Sequence, residues 1–440
     1  IEDLSQNRYV SRLKKVSMSG PAELTANLRT VGESVRWDLD ADLTDAVIRS
    51  EPFFHKPAGV NARVHLGCPV QGEKPLDADF RLSLGETRIA GHATIGPGKS
   101  PAVTALTLQS DELQLANLMP LLSLPVEVVE DTGARLALVL NVKEGEPSIA
   151  ADLSADHIRI TSTGSQNAEP FLLELDEIRV SLEEDAVGYR SHLRCRKAKV
   201  SPPIPTLVKR GFHPEIMGGV TSPIRIDADI GEFVSEPYRA EQLRCAVLIS
   251  ESQLKLASVT GRLAGGTFEL QGNIVRDRKT YSLEYRCEGL DVEQMLSLVP
   301  EDSKKFSGEL SADVSLSGRL GGFKSRSGQG SLTVTAGRID SSYIISRMKG
   351  LDEAQEPNPI RFDRLRCDFS LDNDTINVSN LHLEKPGLVL RGQGTVTLDG
   401  YVDQLFEIEM SREVAGELSA RKRWGLLELL PLPNITTRPV

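Results

Sequence analysis

The sequence predicts a mainly β protein: extended antiparallel sheet, apolar on one face and polar on the other, with a few short helices. Three observations carry this expectation. Apolar residues recur at every second position in segment after segment, aromatics are only 5% of the chain so the apolar positions are aliphatic, and one helix-containing unit occurs twice. Successive side chains of a strand point to opposite faces, so period-2 patterning marks strands with one face out of water.

In chain order, Val35, Trp37, Leu39, Ala41 and Leu43 alternate with Arg and Asp, and Leu76, Ala78, Phe80, Leu82 and Leu84 repeat the pattern. Leu136, Leu138 and Leu140 follow, then Ile224, Ile226, Ala228 and Ile230. The period returns at Leu310 to Leu316, at Leu365, Cys367, Phe369 and Leu371, and at Leu388, Leu390, Gly392, Gly394, Val396 and Leu398. Gly85-Glu86, the polar run Asp372 to Thr375 and Asp399-Gly400 read as hairpin connections. Strands of about 8–10 residues are expected, giving a wall of roughly 25–30 Å. Segments 161–170 and 317–330 read as flexible loops, the second because of Gly318, Gly321, Gly322, Gly328 and Gly330.

The repeat is visible in the best helical segments, 113–123 and 290–299. Leu113, Leu115, Leu118, Met119, Leu121 and Leu122 match Leu290, Val292, Met295, Leu296, Leu298 and Val299 in spacing, and each copy leads into a glycine and an alternating strand. A third, looser copy runs from Val200 to Ile224. Repetition of a supersecondary unit marks elongated architectures. Boundaries are expected near 163–170 and 235, giving segments 1–165, 166–235 and 236–440.

A net charge of −11 and no basic stripe argue against nucleic acid as partner. The five cysteines, at 68, 195, 245, 287 and 367, show neither metal-ligand spacing nor an even count, and three occur as Leu-Arg-Cys with Cys at an apolar strand position. They read as small buried hydrophobes. No window approaches the roughly 20 apolar residues that span a bilayer. The chain starts at Ile1 and stops in mid-pattern after Pro431-Leu432-Pro433, so it reads as an excerpt, and the absence of a membrane anchor or signal from it carries little weight.

Catalytic motifs are weak. Gly96-Pro-Gly98-Lys99-Ser100 ends like a phosphate-binding loop, but Ala93 stands where the first glycine belongs and Pro101 follows, so it reads as a hairpin loop. His55, His65, His92, His157, His192, His213 and His382 are scattered singly and read as surface or loop residues. Asp38, Asp40 and Asp42 read as the wet face of a strand. Nothing assembles a nucleophile, a base and an oxyanion donor, so the chain is read as no enzyme, with no cofactor and no metal.

Two stretches carry a resemblance. Val35 to Ala46 followed by Lys56-Pro57-Ala58-Gly59-Val60 resembles a segment of the large AsmA-like envelope proteins, of the YhdP type. Gly261 to Phe268, Gly289 to Leu296, Gly308-Glu-Leu310, Gly318-Arg-Leu320 and Gly392 to Asp399 resemble the AsmA-like C-terminal region in the family's order. The resemblance implies a repeating β-groove, a strongly curved sheet with an open apolar interior. It also implies attachment to the bacterial inner membrane by an anchor outside this sequence, a periplasmic location, and transfer of glycerophospholipids toward the outer membrane, whose components are candidate partners.

Physical chemistry is consistent with that implication. Acyl chains gain about 0.8 kcal/mol per CH₂ removed from water while a head group stays hydrated, and an open apolar groove does both. The expected lining is Trp37, Leu39, Phe80, Leu82, Leu138, Leu140, Ile226, Ile230, Val314, Leu316, Phe369 and Leu390. The competing readings are a structural β-sandwich or β-solenoid module, whose apolar faces cover each other, and an outer-membrane protein assembly factor that uses exposed strand edges.

Overall fold

The structure is a computed structural model that describes residues 16–31, 34–50, 54–70, 76–96, 103–121, 126–131, 133–143, 146–162, 172–184, 188–201, 223–275, 277–296, 306–319, 325–339, 360–397, 401–412 and 438–439. The chain divides into two compact units, residues 1–206 with 215–236, and residues 207–214 with 237–440. Each is built on curved, antiparallel sheet with very little helix.

In the first unit β1 (Val16–Ser19), β4 (Val47–Ser50) and β5 (Phe54–Lys56) form a small antiparallel sheet. The main sheet comprises β2 (Glu23–Val31), β3 (Ser34–Asp42), β6 (Ala62–Val70), β7 (Leu76–Leu84), β8 (Thr87–Ile95), β9 (Val103–Leu113), β11 (Ala134–Lys143), β12 (Glu146–Ser162), β13 (Leu172–Glu184), β14 (Tyr189–Ser201) and β15 (Ile224–Ser235). Each pairs with the next in that order, and β10 (Val126–Asp131) pairs with the far half of β12. All are antiparallel except β14–β15, which is parallel and therefore needs a crossover between its strands. The predicted third repeat falls largely on that connection, and its residues 202–222 lie outside the described residues, as do loop 163–170, residues 97–100 and the Asp399-Gly400 turn.

The second unit is a meander of β16 (Tyr238–Ile249), β17 (Gln253–Leu263), β18 (Gly266–Val275), β19 (Thr280–Asp291), β20 (Phe306–Arg319), β21 (Arg326–Ile339), β22 (Ile360–Asp372), β23 (Thr375–Lys385), β24 (Leu388–Thr397) and β25 (Val402–Met410), each antiparallel to the next. The two matching helical segments occupy matching places. Helix α1 (Leu115–Leu118), continued by a 3-10 turn to Leu121, follows β9, and α2 (Val292–Leu296) follows β19, where the Asp291 carboxylate accepts from the Gln294 N–H at 3.0 Å. The α1 segment lies on the apolar side of the sheet, where Leu115, Ala116 and Leu118 pack on buried Leu113, Val128, Ile158 and Ile178. Leu121 is buried with Ala62 and Leu84.

Two expectations are corrected. Strands of the expected 8–10 residues occur, with nine residues each in β2, β3, β6, β7 and β8, but others are longer: β12 has 17 and β20 and β21 have 14, roughly 45 Å or more at about 3.3 Å per residue. The glycine-rich segment 317–330 is not one loop, since Gly318 belongs to β20 and Gly328 and Gly330 to β21. Cross-strand packing explains those glycines. A Cβ on Gly330 would stand 2.8 Å from the Phe369 ring and 2.7 Å from the Asp313 carbonyl oxygen. The same ring-over-glycine pair recurs in register at Phe80–Gly91, Phe268–Gly261, Phe362–Gly337 and Phe406–Gly392. Glycine lets the backbone bend there, and the ring covers what the missing side chain leaves bare.

Bulges provide the remaining curvature. Gln242 (φ 53), Gly289 (φ 66), Ala336 (φ 49) and Asn380 (φ 51) adopt left-handed backbone, each immediately before Leu243, Leu290, Gly337 or Leu381. Register shifts accompany them at Glu241/Arg244, Cys287/Leu290, Ser307/Glu309 and Val378/Leu381. Such insertions bend a strand and increase its twist. They also explain how Cys287 and Leu290, three residues apart, are both buried.

The Lys56-Pro-Ala-Gly59 segment is structural. The Lys56 side chain is fully buried, and its ammonium donates to the carbonyls of Thr44 (3.0 Å), Ala46 (2.8 Å) and Pro57 (3.1 Å), tying the β3–β6 excursion into one knot. Burial pushes its pKa down, while Asp45 and Asp42 push it up.

Two outcomes are expected in urea unfolding followed by circular dichroism. Lys56→Met, which keeps the stem and strips three charge-assisted bonds, lowers stability by roughly 3 kcal/mol. Gly91→Val sets a side chain against the Phe80 ring and the Thr107 carbonyl and costs about 1–3 kcal/mol through overpacking.

Candidate functional site

The candidate site is the apolar face, and strand register defines it. In the first unit one row runs Ala26, Leu39, Leu66, Phe80, Gly91, Leu108, Leu138, Ala151 and Leu182, each directly opposite the next across successive strands. The neighbouring rows repeat the chemistry: Leu28 faces Trp37 and Trp37 faces Cys68, while Leu136, Leu153, Val180, Leu193 and Ala228 follow one another. In the second unit Val247, Leu256, Gly272, Leu283, Leu316, Gly328, Leu371, Ile376 and Val396 form one such row. Val259, Leu270, Tyr285, Val314, Gly330, Phe369 and Val378 form the next.

The structure therefore places the anticipated lining residues of each unit on a shared face. Trp37, Leu39, Phe80, Leu82, Leu138, Ile226 and Ile230 belong to the first unit, and Val314, Leu316, Phe369 and Leu390 to the second. Leu140 pairs with Leu106 and Ile149, two residues along from the Leu138 row. Most of these side chains are half-buried. Lateral neighbours on a curved sheet shield them, and at the β2–β3 end even that shielding fails: Leu24, Leu28 and Trp37 are 65%, 63% and 51% exposed. Among the described residues the helices are four and five residues long, far too short to cover such a face. None is long and apolar enough to cross a membrane.

Sequence patterning missed two parts of this surface. Strand β2 carries Leu24, Ala26 and Leu28 at period 2, and β9 carries Leu106 and Leu108; both patterns were present but interrupted by Thr, Asn and Ser. The glycines at 91, 272, 328 and 330 belong to the face as well, and only cross-strand pairing shows it. The cysteines also line it. Cys195, Cys287 and Cys367 are buried, and Cys68 and Cys245 are half-buried; none of the five forms a disulfide. Burial pushes the Cys195 thiol up to about 11 and, more weakly, those of Cys287 and Cys367; burial also pushes the Tyr285 phenol well up.

The opposite face is a lattice of matched charges. Arg36 sits 3.3 Å from both Asp38 and Asp79, Arg190 is 2.9 Å from Asp227, Arg286 is 2.6 Å from Asp313, and Arg391 is 2.6 Å from Glu409. Histidines join it from strands rather than loops: His65–Asp40 at 2.7 Å, His92–Asp79 at 3.1 Å, His157–Asp176 at 2.8 Å and His192–Asp229 at 3.0 Å. The hydrogen bond from His92 is the main reason the Asp79 carboxyl is held below its usual range, and the one with Asp38 raises the Arg36 guanidinium. No cluster of three metal-ligating side chains occurs among the described residues. No known family model, no curated protein and no solved structure matches the chain.

Thiol chemistry reads the apolar face directly. At pH 8 a water-soluble alkylating reagent is expected to modify Cys68 and Cys245 before Cys195. The rate at Cys195 should climb about tenfold per pH unit until the thiol ionises near pH 11. An unfolded thiol ionises near 9, so the stability gained by keeping Cys195 neutral is complete below pH 9 and is lost between 9 and about 11. Cys195→Ala should flatten the melting temperature across that interval.

Proposed function

We propose that this chain conducts glycerophospholipids between the inner and outer membranes across the bacterial periplasm, acyl chains laid along the apolar face and head groups left in water. The observation that carries the reading is the unbroken in-register apolar row in each unit, on a face that the short helical segments among the described residues cover only in part. A long aliphatic lining with few polar interruptions holds chains by area alone, at about 25 cal/mol per Å² removed from water, and offers no deep trap to stop them sliding. The matched charges on the other face keep the sheet soluble and turn its apolar side toward lipid. Conduction of this kind requires no catalytic group, cofactor or metal.

The two faces of β20 provide the test. Leu316 stands in the apolar row. Ser315 and Ser317 donate from the other face to the carbonyls of Gln329 and Ser327. A photo-crosslinker at Leu316 is expected to capture phospholipid in cells, and one at Ser317 is not; equal labelling sinks the one-sided conduit. Val314→Asp with Leu316→Asp should remain folded, because carboxylates on an open face stay hydrated, yet cut lipid capture by about tenfold or more. A folded double variant that still passes lipid overturns conduction. An unfolded one points instead to a packed sandwich core, where unpaired charges cannot be hydrated.

A further inference from the structure

On the polar face several arginines stand opposite each other across strands, Arg29–Arg36, Arg190–Arg225 and Arg338–Arg361 among them, and at one such place a cavity opens. Arg179 of β13 stands directly opposite Arg194 of β14, and on its other side Ser154 of β12 separates it from Arg135 of β11, so three guanidinium groups share one cross-strand row. Like charges facing each other across strands are destabilising, and in two of the other pairs one carboxylate bridges the facing guanidinium groups: Asp38 reaches Arg29 and Arg36, and Asp227 reaches Arg190 and Arg225. Arg194 leans away toward Asp229 (3.8 Å) and the His192 imidazole (3.4 Å). Arg135 and Arg179 have no ion pair among the described residues, although both are exposed.

The row borders a cavity of about 650 Å³. The hydroxyl-bearing Ser154 and Ser181 line it with the three arginines, and so do Asp111, Asp152 and His192. Asp152 stands one strand from both Arg135 and Arg179 and forms an ion pair with neither. A cluster of forked donors, held together against its own repulsion beside hydroxyl groups, suits a ligand with several anionic oxygens. Guanidinium groups bind phosphoryl oxygens in pairs through parallel N–H donors.

We propose that this cavity binds a phosphoryl oxyanion seated over Ser154, with Arg135 and Arg179 as its principal ligands and Arg194 at its rim. The volume admits the phosphate together with the small polar group it esterifies. The site lies on the face opposite the apolar rows and does not depend on lipid conduction; either proposal can fail while the other stands.

Thermal melting and titration calorimetry test it on the intact chain. Inorganic phosphate should raise the melting temperature where chloride at equal ionic strength does not, and sn-glycerol 3-phosphate should do so at lower concentration. Arg179→Gln should melt higher than the parent without ligand, because the facing charges no longer repel, and should lose the phosphate-dependent rise. Arg135→Gln should weaken phosphate binding by about tenfold. Sedimentation with phosphatidylcholine vesicles, with and without phosphatidic acid, separates the sources. Co-sedimentation only with the acidic vesicles assigns the site to a lipid head group, and binding of the soluble esters alone assigns it to a free phosphoester; both uphold it. A parent protein that responds to chloride and phosphate alike, or an Arg179→Gln variant that keeps the phosphate response, overturns it.

Discussion

Everything in this molecule depends on keeping strand parity. A strand has two faces only because its side chains alternate, and neighbouring strands agree on which face is apolar only while their register holds. A slip of one residue at any pairing would bring the aspartates of β3 to the side now occupied by Trp37 and Leu39. The apolar row of the first unit passes through nine strands, from Ala26 to Leu182, without such a slip. Hydrogen-bonded ladders set the spacing, but they are indifferent to side chains, so the choice of register falls to the side chains themselves.

The two faces make that choice in different ways. On the apolar side a slipped register exposes aliphatic surface, a penalty spread over many weak contacts. On the polar side it sets like charges against each other, a penalty concentrated at points such as Arg286 opposite Asp313. Exposed ion pairs of this kind add little to stability individually. Their value lies in discrimination, since they reject wrong pairings that a smooth aliphatic face would tolerate. The ring-over-glycine pairs act similarly, because a ring shifted by one strand position loses the only residue small enough to lie beneath it. At the row of Arg135, Arg179 and Arg194 the same face accepts repulsion, and neither Arg135 nor Arg179 has an ion pair among the described residues.

The strands and their polarity were legible in the sequence because period-2 patterning is local. Leu76 to Leu84 appears as a strand with the same limits read from the residues, and the paired helical segments were visible from spacing alone. The parallel β14–β15 pairing was not, since nothing in Ile224 to Ile230 records the direction of a neighbour. Glycines misled for a related reason: Gly328 and Gly330 signal a loop to any local reading, and only Leu316 and Phe369 across the strands explain them. The apolar faces were legible because alternation marks them, whereas the arginine row was invisible, its members lying 44 and 15 residues apart along the chain.

The bulges have a consequence for how such a chain can change length. Within a strand, gaining or losing two residues preserves the faces and merely lengthens or shortens the wall. Gaining one turns every residue beyond it inside out, unless the odd residue is parked in left-handed backbone, as Gln242, Gly289, Ala336 and Asn380 are. These four positions thus behave as leap days in a calendar of twos. Relatives of this chain can be expected to vary by even steps within strands and by odd steps only where a residue tolerant of positive φ absorbs the remainder. The arithmetic of insertions, more than the identity of any side chain, then becomes the record of which surface was kept out of water.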